Sequence, residues 1–295
     1  ETFVTFVQAI KRKDLKYIKK MKQLLRDFMV ELISNFKDYE NELESAVGFL
    51  NDIAEVEPGY FKGDFDSWIE IVAKMRDLSS DSDSLLKTLG IELLLPVLEA
   101  FPELLASNTK RIGAITNIVV ANMLEVEEEV SEEWKNPPEG FNDELEEQDD
   151  QKEIKFGISV INLLFEVVGG PEMFAFLSTY LEPFVKSEQW KYKNVAIMLL
   201  SQAGEYIREN KEYQVNIMNF VVAASKDPNP RVRYACCHLL GQFAEDLAIT
   251  FQENFHKEYF GIVLPLLEDP VPRVVAHCMA SLTNFLENVT TDQLL

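Results

Sequence analysis

Residues 227–245, DPNPRVRYACCHLLGQFAE, have a pattern of hydrophobic and polar positions that recurs along the chain. It returns at 269–287 as DPVPRVVAHCMASLTNFLE, and a weaker copy, SEQWKYKNVAIMLLSQAGE, stands at 187–205. The copies are shifted by 42 and 40 residues. Within each copy the apolar residues return every three or four positions, which predicts an α-helix with one buried side.

The middle copy shows how this helix is expected to begin and which side it buries. Pro230 lacks the N–H that continuing an earlier helix would need, so a new helix is predicted to start near Arg231. An advance of 100° per residue separates two arcs of side chains. The predicted packing arc holds Val232, Cys236, Leu239, Leu240 and Phe243. The opposite arc, which we expect to be left for solvent or a partner, holds Tyr234, His238, Gly241 and Glu245.

A repeat of about 40 residues is typical of HEAT and armadillo arrays, which stack pairs of helices. We therefore predict an all-α protein, a right-handed α-solenoid of about six HEAT repeats with an acidic loop inserted in one repeat. Residues 1–295 are interpreted as a single array, and as a fragment of a longer one. The approximate repeats are 14–57, 61–107, 108–170 with the acidic insertion 125–153, 171–210, 211–250 and 251–290.

The turn before the middle copy matches the HEAT consensus D-x4-V-R through Asp227, Val232 and Arg233. Asp227 and Arg233 are predicted to form a structural pair at the turn between two helices. Lys193 and Val275 stand at the arginine position of the neighbouring copies, so we expect an incomplete ladder. The helix that follows is the second of its repeat, which in HEAT proteins lines the concave surface.

Residues 125–153 contain fourteen acids against two lysines, and Pro137, Pro138 and Gly140 exclude a continuous helix. One interpretation is a disordered, solubilising insert. The other is a binding element that engages a basic patch, which the aromatic residues inside the loop favour. The candidate residues are Glu127, Glu128, Glu129, Glu132, Glu133, Trp134, Phe141, Asp143, Glu144, Glu146, Glu147, Asp149 and Asp150.

Aligning the second helices of all six repeats places one acid at the same position in each. These acids are Glu55, Glu99, Glu166, Glu205, Glu245 and Glu287. A neighbouring row holds Gln202, Gln242 and Asn284. With Tyr234 and His238 added, the set predicts a concave strip that binds a basic, extended ligand. Acids near a helix C-terminus oppose the macrodipole, so helix stability does not explain them. The alternative is an ordinary solvated face.

Composition and motifs narrow the class of protein. The net charge of −22 argues against nucleic acid or an anionic membrane as a direct partner and favours basic partners. Three cysteines form no disulfide framework, which suits a reducing compartment. We find no signal peptide and no apolar run long enough to cross a membrane. No phosphate loop, dinucleotide turn, nucleophile elbow or metal-ligand spacing is present, so we expect no cofactor, no metal and no enzymatic activity.

The wording of 190–205, 227–258 and 273–288, together with the acidic insertion, resembles the importin-β (karyopherin-β) superfamily. It is most similar to the importin β-three or importin-five branch. The resemblance is specific over 151–295, depends on element order over 84–150, and before residue 80 depends on periodicity alone.

This resemblance implies a monomeric nuclear import receptor that shuttles between cytoplasm and nucleus. Such receptors bind basic cargo proteins or localisation signals on the concave surface and release them to Ran-GTP in the full-length protein. They contact phenylalanine-glycine nucleoporins on their outer helices. The alternative function is a HEAT scaffold subunit of a phosphatase or chromatin complex, with no transport role.

Overall fold

The computed structural model describes residues 15–78, 85–137 and 152–289. Within these ranges the regular structure is entirely helical, without a β-strand. The chain divides into two compact units after Asn122. In the second unit, the first helix of each repeat is called its A helix and the second its B helix.

Short connections join the helices of the first unit. They are α1 (Leu15–Ser34), α2 (Glu40–Val56), α3 (Gly59–Lys62), α4 (Phe65–Leu78), α5 (Leu85–Glu92), α6 (Leu95–Ala100) and α7 (Thr109–Met123), with 3-10 turns at Phe36–Asp38 and Pro102–Leu104. Pro96 stands at the start of α6, where the predicted long helix is interrupted. Asn108 caps α7 by accepting from the Arg111 N–H at 3.2 Å. Ser82 and Asp83 precede α5 and are residue types that favour helix N-caps, but they lie outside the described residues.

The second unit contains all three copies of the recurring sequence pattern, at 187–205, 227–245 and 269–287. Its helices are α8 (Glu132–Lys135), α9 (Lys152–Val168), α10 (Gly170–Val185), α11 (Trp190–Leu200), α12 (Lys211–Ala224), α13 (Pro230–Asp246), α14 (Thr250–Leu266) and α15 (Pro272–Glu287), and a 3-10 helix at Ser201–Ile207 continues α11. The B helices are α9, α11, α13 and α15, and the A helices are α10, α12 and α14. Gly169 separates α9 from α10 with φ of 97°, a left-handed conformation that favours glycine.

The predicted packing arc of α13 is the core of this unit. Val232, Leu239, Leu240 and Phe243 are fully buried where α13 lies between α11 and α15. Cys236 donates weakly to the carbonyl of Val221, and Cys278 bonds Val263 in the same way one repeat later. Equivalent residues therefore make equivalent contacts 42 residues apart.

The ladder at the turns runs between repeats. Arg233 donates two hydrogen bonds to the carboxylate of Asp269 in the next repeat, at 2.6 and 2.9 Å. The Asp227 carboxylate accepts instead from Lys193 of the preceding repeat at 2.9 Å. Arg233 reaches only the backbone carbonyl of Asp227. The two residues of the predicted turn pair are therefore joined through the backbone of Asp227 rather than its side chain, and Lys193 takes the arginine's role in the ladder instead of interrupting it.

Candidate functional site

The C-terminal ends of the B helices carry the predicted glutamates of this unit. All four are exposed, because they lie on the side of each helix away from the packing arc. We call this surface the acidic edge: Glu166, Glu205, Glu245, Asp246 and Glu287. Glu55 and Glu99 are likewise exposed, near the ends of α2 and α6 in the first unit. A row of six across both units stays a prediction.

Asp246 is the member of the acidic edge that the periodicity did not single out. Its carboxylate accepts from the Gln242 amide at 2.8 Å. Burial first, and then the neighbouring carboxylates of Glu205 and Glu245, raise the pKa of Asp246 to about 6, although the hydrogen bond from Gln242 and the charge of Arg208 lower it. Among the residues that the structure describes, no lysine or arginine is salt-bridged to Asp246, so a bound cation would relieve the repulsion between these carboxylates.

Tyr206 follows Glu205 in the sequence and packs beside the acidic edge. Its ring stacks on Phe165 of the preceding B helix, with centroids 4.6 Å apart and planes 2° from parallel. Burial first, and then the charges of Glu205, Glu166 and Asp246, raise the pKa of this phenol. The electrostatic influence of carboxylates from three repeats therefore meets at one aromatic ring.

The predicted amide row lies beside these carboxylates. Gln202 donates to the hydroxyl of Ser201 at 3.0 Å, and Gln242 holds Asp246. Asn284 lies next to Gly241, whose missing side chain lets the neighbouring B helix approach. Gln202, Gln242 and Asn284 are each partly exposed. The amides thus order the acidic edge and still present polar groups to solvent.

The N-terminal ends of the same helices are basic. We call this surface the basic edge: Lys191, Lys193, Arg231, Arg233 and Arg273. The described part of the acidic insertion, residues 124–137, lies against it. Glu128 accepts from the Trp190 indole and from Lys191, each at 3.1 Å. A cleft of about 820 Å³ separates the insertion from the turns at 187–193 and 227–230.

Two residues expected on an open face of α13 are buried. Tyr234 is only 4% exposed, because the Trp134 ring meets it edge to face at 5.7 Å and His277 stacks on it at 4.1 Å. Gly241 is buried against α15. His238 is partly exposed and lies parallel to His277 at 5.6 Å. The expectation that Tyr234 and Gly241 face solvent is therefore wrong, since an insertion about 100 residues away and the next repeat cover them.

The structure describes the first half of the insertion. Glu127, Glu128, Glu129, Glu132 and Glu133 are exposed, whereas Trp134 is buried. The other predicted loop residues lie outside the described residues: Phe141, Asp143, Glu144, Glu146, Glu147, Asp149 and Asp150. Over the part of the chain that the structure describes, no group of acids, histidines and cysteines could hold a metal, and no helix is long and apolar enough to span a membrane.

Known proteins share both the repeat sequence and the helical fold of this chain. The HEAT repeat family model matches residues 217–247, which include most of α12 and all of α13. Importin subunit beta-3 of Saccharomyces cerevisiae is 27% identical over 262 residues, which are 86% of this chain and 23% of the yeast protein.

Solved structures of Kap121p share the fold. Kap121p bound to the SUMO protease Ulp1p is 25% identical, with a TM-score of 0.82 over 99% of this chain and 28% of that chain. Kap121p bound to RanGTP and bound to Nup53p are each 24% identical, with TM-scores of 0.80 and 0.81 and the same coverage. The chain therefore spans about a quarter of the length of these relatives.

These findings define the class first: the chain is a HEAT-repeat helical array of the karyopherin type. Its sequence is similar to importin subunit beta-3 and its fold to Kap121p, both proteins of the importin-β type. The predicted all-α fold and family resemblance are confirmed, while the exact number and bounds of the repeats stay predictions.

Proposed function

We propose that this chain is the cargo-binding segment of a nuclear import receptor. It binds a basic, extended segment of cargo along the acidic edge. The full-length receptor releases that cargo to Ran-GTP and shuttles between cytoplasm and nucleus. The observation that carries the proposal is the exposed glutamate repeated at the C-terminal end of every B helix of the second unit.

Repeat geometry specifies the ligand. Packed helices lie about 10 Å apart, and an extended chain advances about 3.3 Å per residue. Basic side chains spaced about three residues apart would therefore meet successive glutamates. Lysine suits these sites because an ammonium group on a long apolar stem can reach exposed carboxylates and amide oxygens at once.

Charge at the acidic edge supports a cationic ligand rather than a structural role. Negative charge at a helix C-terminus opposes the macrodipole. The raised pKa of Asp246 means that the ionised carboxylate is disfavoured in the free protein. A bound lysine or arginine would lower that pKa again, so ligand affinity is expected to fall as the pH drops through about 6.

The test is the affinity of the chain for a fluorescent peptide with lysines at every third position. Replacing Glu205, Glu245 and Glu287 together with lysine should weaken binding about 100-fold at low ionic strength. The control reverses three exposed glutamates on the A helices, Glu172, Glu212 and Glu258, for the same change in net charge. Equal losses in both variants would attribute binding to net charge and refute the acidic edge as the site.

A second experiment separates transport from a general scaffold. The full-length receptor should bind Ran-GTP more strongly than Ran-GDP, and Ran-GTP should displace the basic peptide. Solved complexes of Kap121p with RanGTP and with Pho4p support this expectation. Equal, weak recovery of both nucleotide forms would favour the scaffold of a phosphatase or chromatin complex.

Nucleoporin contact is proposed for the A helices. A largely apolar groove of about 400 Å³ lies between α10 and α12, lined by Phe174, Leu181, Ile217 and Phe220. Its size and lining suit a phenylalanine side chain from a phenylalanine-glycine repeat. Filling it with Asn216→Trp should abolish binding of such a peptide and leave the basic peptide unaffected. Retained binding would place nucleoporin contact elsewhere.

A further inference from the structure

Trp134 packs at the basic edge into a cluster of cationic and aromatic side chains that we call the seat: Arg231, Tyr234, Arg273 and His277. The indole is 2% exposed. The guanidinium carbons of Arg231 and Arg273 lie 4.8 and 4.9 Å from its ring centroid, within the range of a cation–π interaction. Tyr234 meets the same ring edge to face, and His277 stacks on Tyr234. One aromatic side chain thus contacts two repeats at once.

The seat is built from equivalent positions of successive repeats. Arg231 and Arg273 each follow the proline that begins a B helix, 42 residues apart. Lys191 occupies the same position one repeat earlier and bonds the carboxylate of Glu128. The insertion therefore engages three successive copies of one position: a carboxylate on the first and an indole on the other two.

This basic edge is unfavourable for the B helices alone. Cations at a helix N-terminus oppose the macrodipole. Arg231 and Arg273 are also nearly buried, at 1% and 3% exposure, although their side chains are charged. The electron-rich Trp134 ring offsets part of both costs because it faces the two guanidinium groups, and the Glu128 carboxylate does the same at Lys191.

The insertion presents its tryptophan in a fixed way. Ser131 accepts from the Trp134 N–H at 3.1 Å and so caps the helical turn α8. Lys135 pairs with Glu132 at 2.6 Å on the exposed side of that turn. The sequence SEEWK thus folds into a short element whose single apolar side chain enters the seat.

We propose that the seat of Arg231, Tyr234, Arg273 and His277 is a second binding site, specific for an aromatic side chain flanked by carboxylates. The chain's own segment 128–135 occupies it as an intramolecular ligand. A partner segment of the same chemistry, acidic and bearing a tryptophan, would displace that segment and take the seat. This site lies at the opposite end of the B helices from the acidic edge and does not depend on the proposed function.

The test uses a fluorescent peptide with the sequence of residues 127–137 and the Trp134→Ala variant of the chain. The peptide should bind the variant at least about tenfold more tightly than the wild-type chain, because the seat is vacated. A peptide with alanine in place of its tryptophan should not bind. Adding Arg231→Lys and Arg273→Lys to the variant should weaken binding about tenfold, since lysine keeps the charge but loses the planar stacking.

A second measurement needs no variant. Hydrogen exchange of residues 124–137 in the wild-type chain should accelerate when the tryptophan peptide is added in excess, and should not change with the alanine peptide. Faster exchange would support displacement even if Trp134→Ala fails to fold. Equal peptide affinity for the wild-type chain and a folded Trp134→Ala variant, or exchange that ignores both peptides, would overturn the proposal. Neither result bears on whether the acidic edge binds a basic peptide.

Discussion

The two ends of the B helices in the second unit carry opposite charge, and they differ in whether the chain itself pairs and covers that charge. At the N-terminal ends, the basic edge is paired and covered: Arg233 holds Asp269, Lys191 holds Glu128, and the guanidinium groups of Arg231 and Arg273 lie over Trp134. At the C-terminal ends, the glutamates of the acidic edge are exposed.

Both ends carry charge of the sign that the helix macrodipole disfavours. Where the chain supplies the complement itself, the charged groups become part of the fold and join one repeat to the next. Where the chain supplies only Arg208 nearby, burial and then the crowding of the carboxylates raise the pKa of Asp246. The comparison indicates that charge opposing the helix macrodipole is structural at the N-terminal ends, where it is paired. At the C-terminal ends, where it is exposed, we propose that it is available for binding.

The largest expected effect is at the basic edge. Arg233→Ala should lower the free energy of unfolding by about 3 kcal/mol, because it leaves the nearly buried Asp269 carboxylate without its two charged hydrogen bonds. Lys193→Ala, which removes a single bond, should cost about 1 kcal/mol. Urea denaturation followed by circular dichroism measures both. Similar small losses would mean that the ladder does not join the repeats.

Close packing at the acidic edge is tested by a smaller change. A Cβ on Gly204 would lie 2.5 Å from the Asp246 carboxylate, so Gly204→Ala should cost about 2 kcal/mol by displacing that side chain. Gly261→Ala is the control, because nothing lies within 4 Å of its added Cβ. In the middle of α14 it should stabilise by about 0.5–1 kcal/mol. Equal effects in thermal unfolding would show that Asp246 is not held where the structure places it.

Asp246→Asn should change stability in a pH-dependent way. Its folded pKa of about 6 exceeds the ordinary 3.8, so the folded state binds the proton more tightly and ionisation costs stability. That cost is absent at low pH, grows as the pH rises from about 4 to 6, and stays constant above. Because the group is partly exposed, we expect the variant to gain about 1 kcal/mol at neutral pH, and nothing at pH 4.

The control for this pH dependence is Glu245→Gln, which neutralises an exposed carboxylate one position earlier in the chain. Its gain in stability should be smaller, since it removes only one of the charges that act on Asp246. Unfolding free energies measured across pH 4–7.5 that fail to separate the two variants would contradict the crowding of Asp246.

The smallest effect concerns the exposed ion pair of the insertion. Glu128→Gln removes the charge that Lys191 pairs with, on a carboxylate with 75% of its side chain exposed. Because solvent screens such a pair, we expect a small loss of protection in 50 mM salt and none in 1 M salt. Hydrogen exchange of residues 124–137 measures it. A loss that persists at high salt would show that this pair, rather than Trp134, anchors the segment.

The periodicity of the sequence predicted the repeated helices well. The buried arc of α13 and the start of that helix near Pro230 follow from local pattern, because each helix packs against neighbours of the same design. The helical phase also placed the glutamates on exposed positions. These features depend only on a residue's own helix and on the repeat, and a single sequence contains both.

Contacts between distant segments were not predictable in the same way. A helical wheel assigns Tyr234 to the open face, but it cannot represent an insertion that covers that face. The carboxylate partner of Arg233 lies 36 residues ahead, at a distance that the consensus turn does not specify. Asp246 escaped notice because its pKa depends on Glu205, a residue of the preceding repeat. The aromatic residues within the acidic sequence, Trp134 and Phe141, were the signal that such a contact existed.

The central claim is that a basic ligand binds the acidic edge and leaves the basic edge alone. A lysine peptide carrying a photoreactive group, bound to the chain and irradiated, tests it directly when the cross-linked residues are mapped by mass spectrometry. We predict cross-links to 202–206, 242–246 and 284–287, at the C-terminal ends of three B helices. Cross-links at 189–193, 229–233 and 271–275, or on the A helices, would contradict the account.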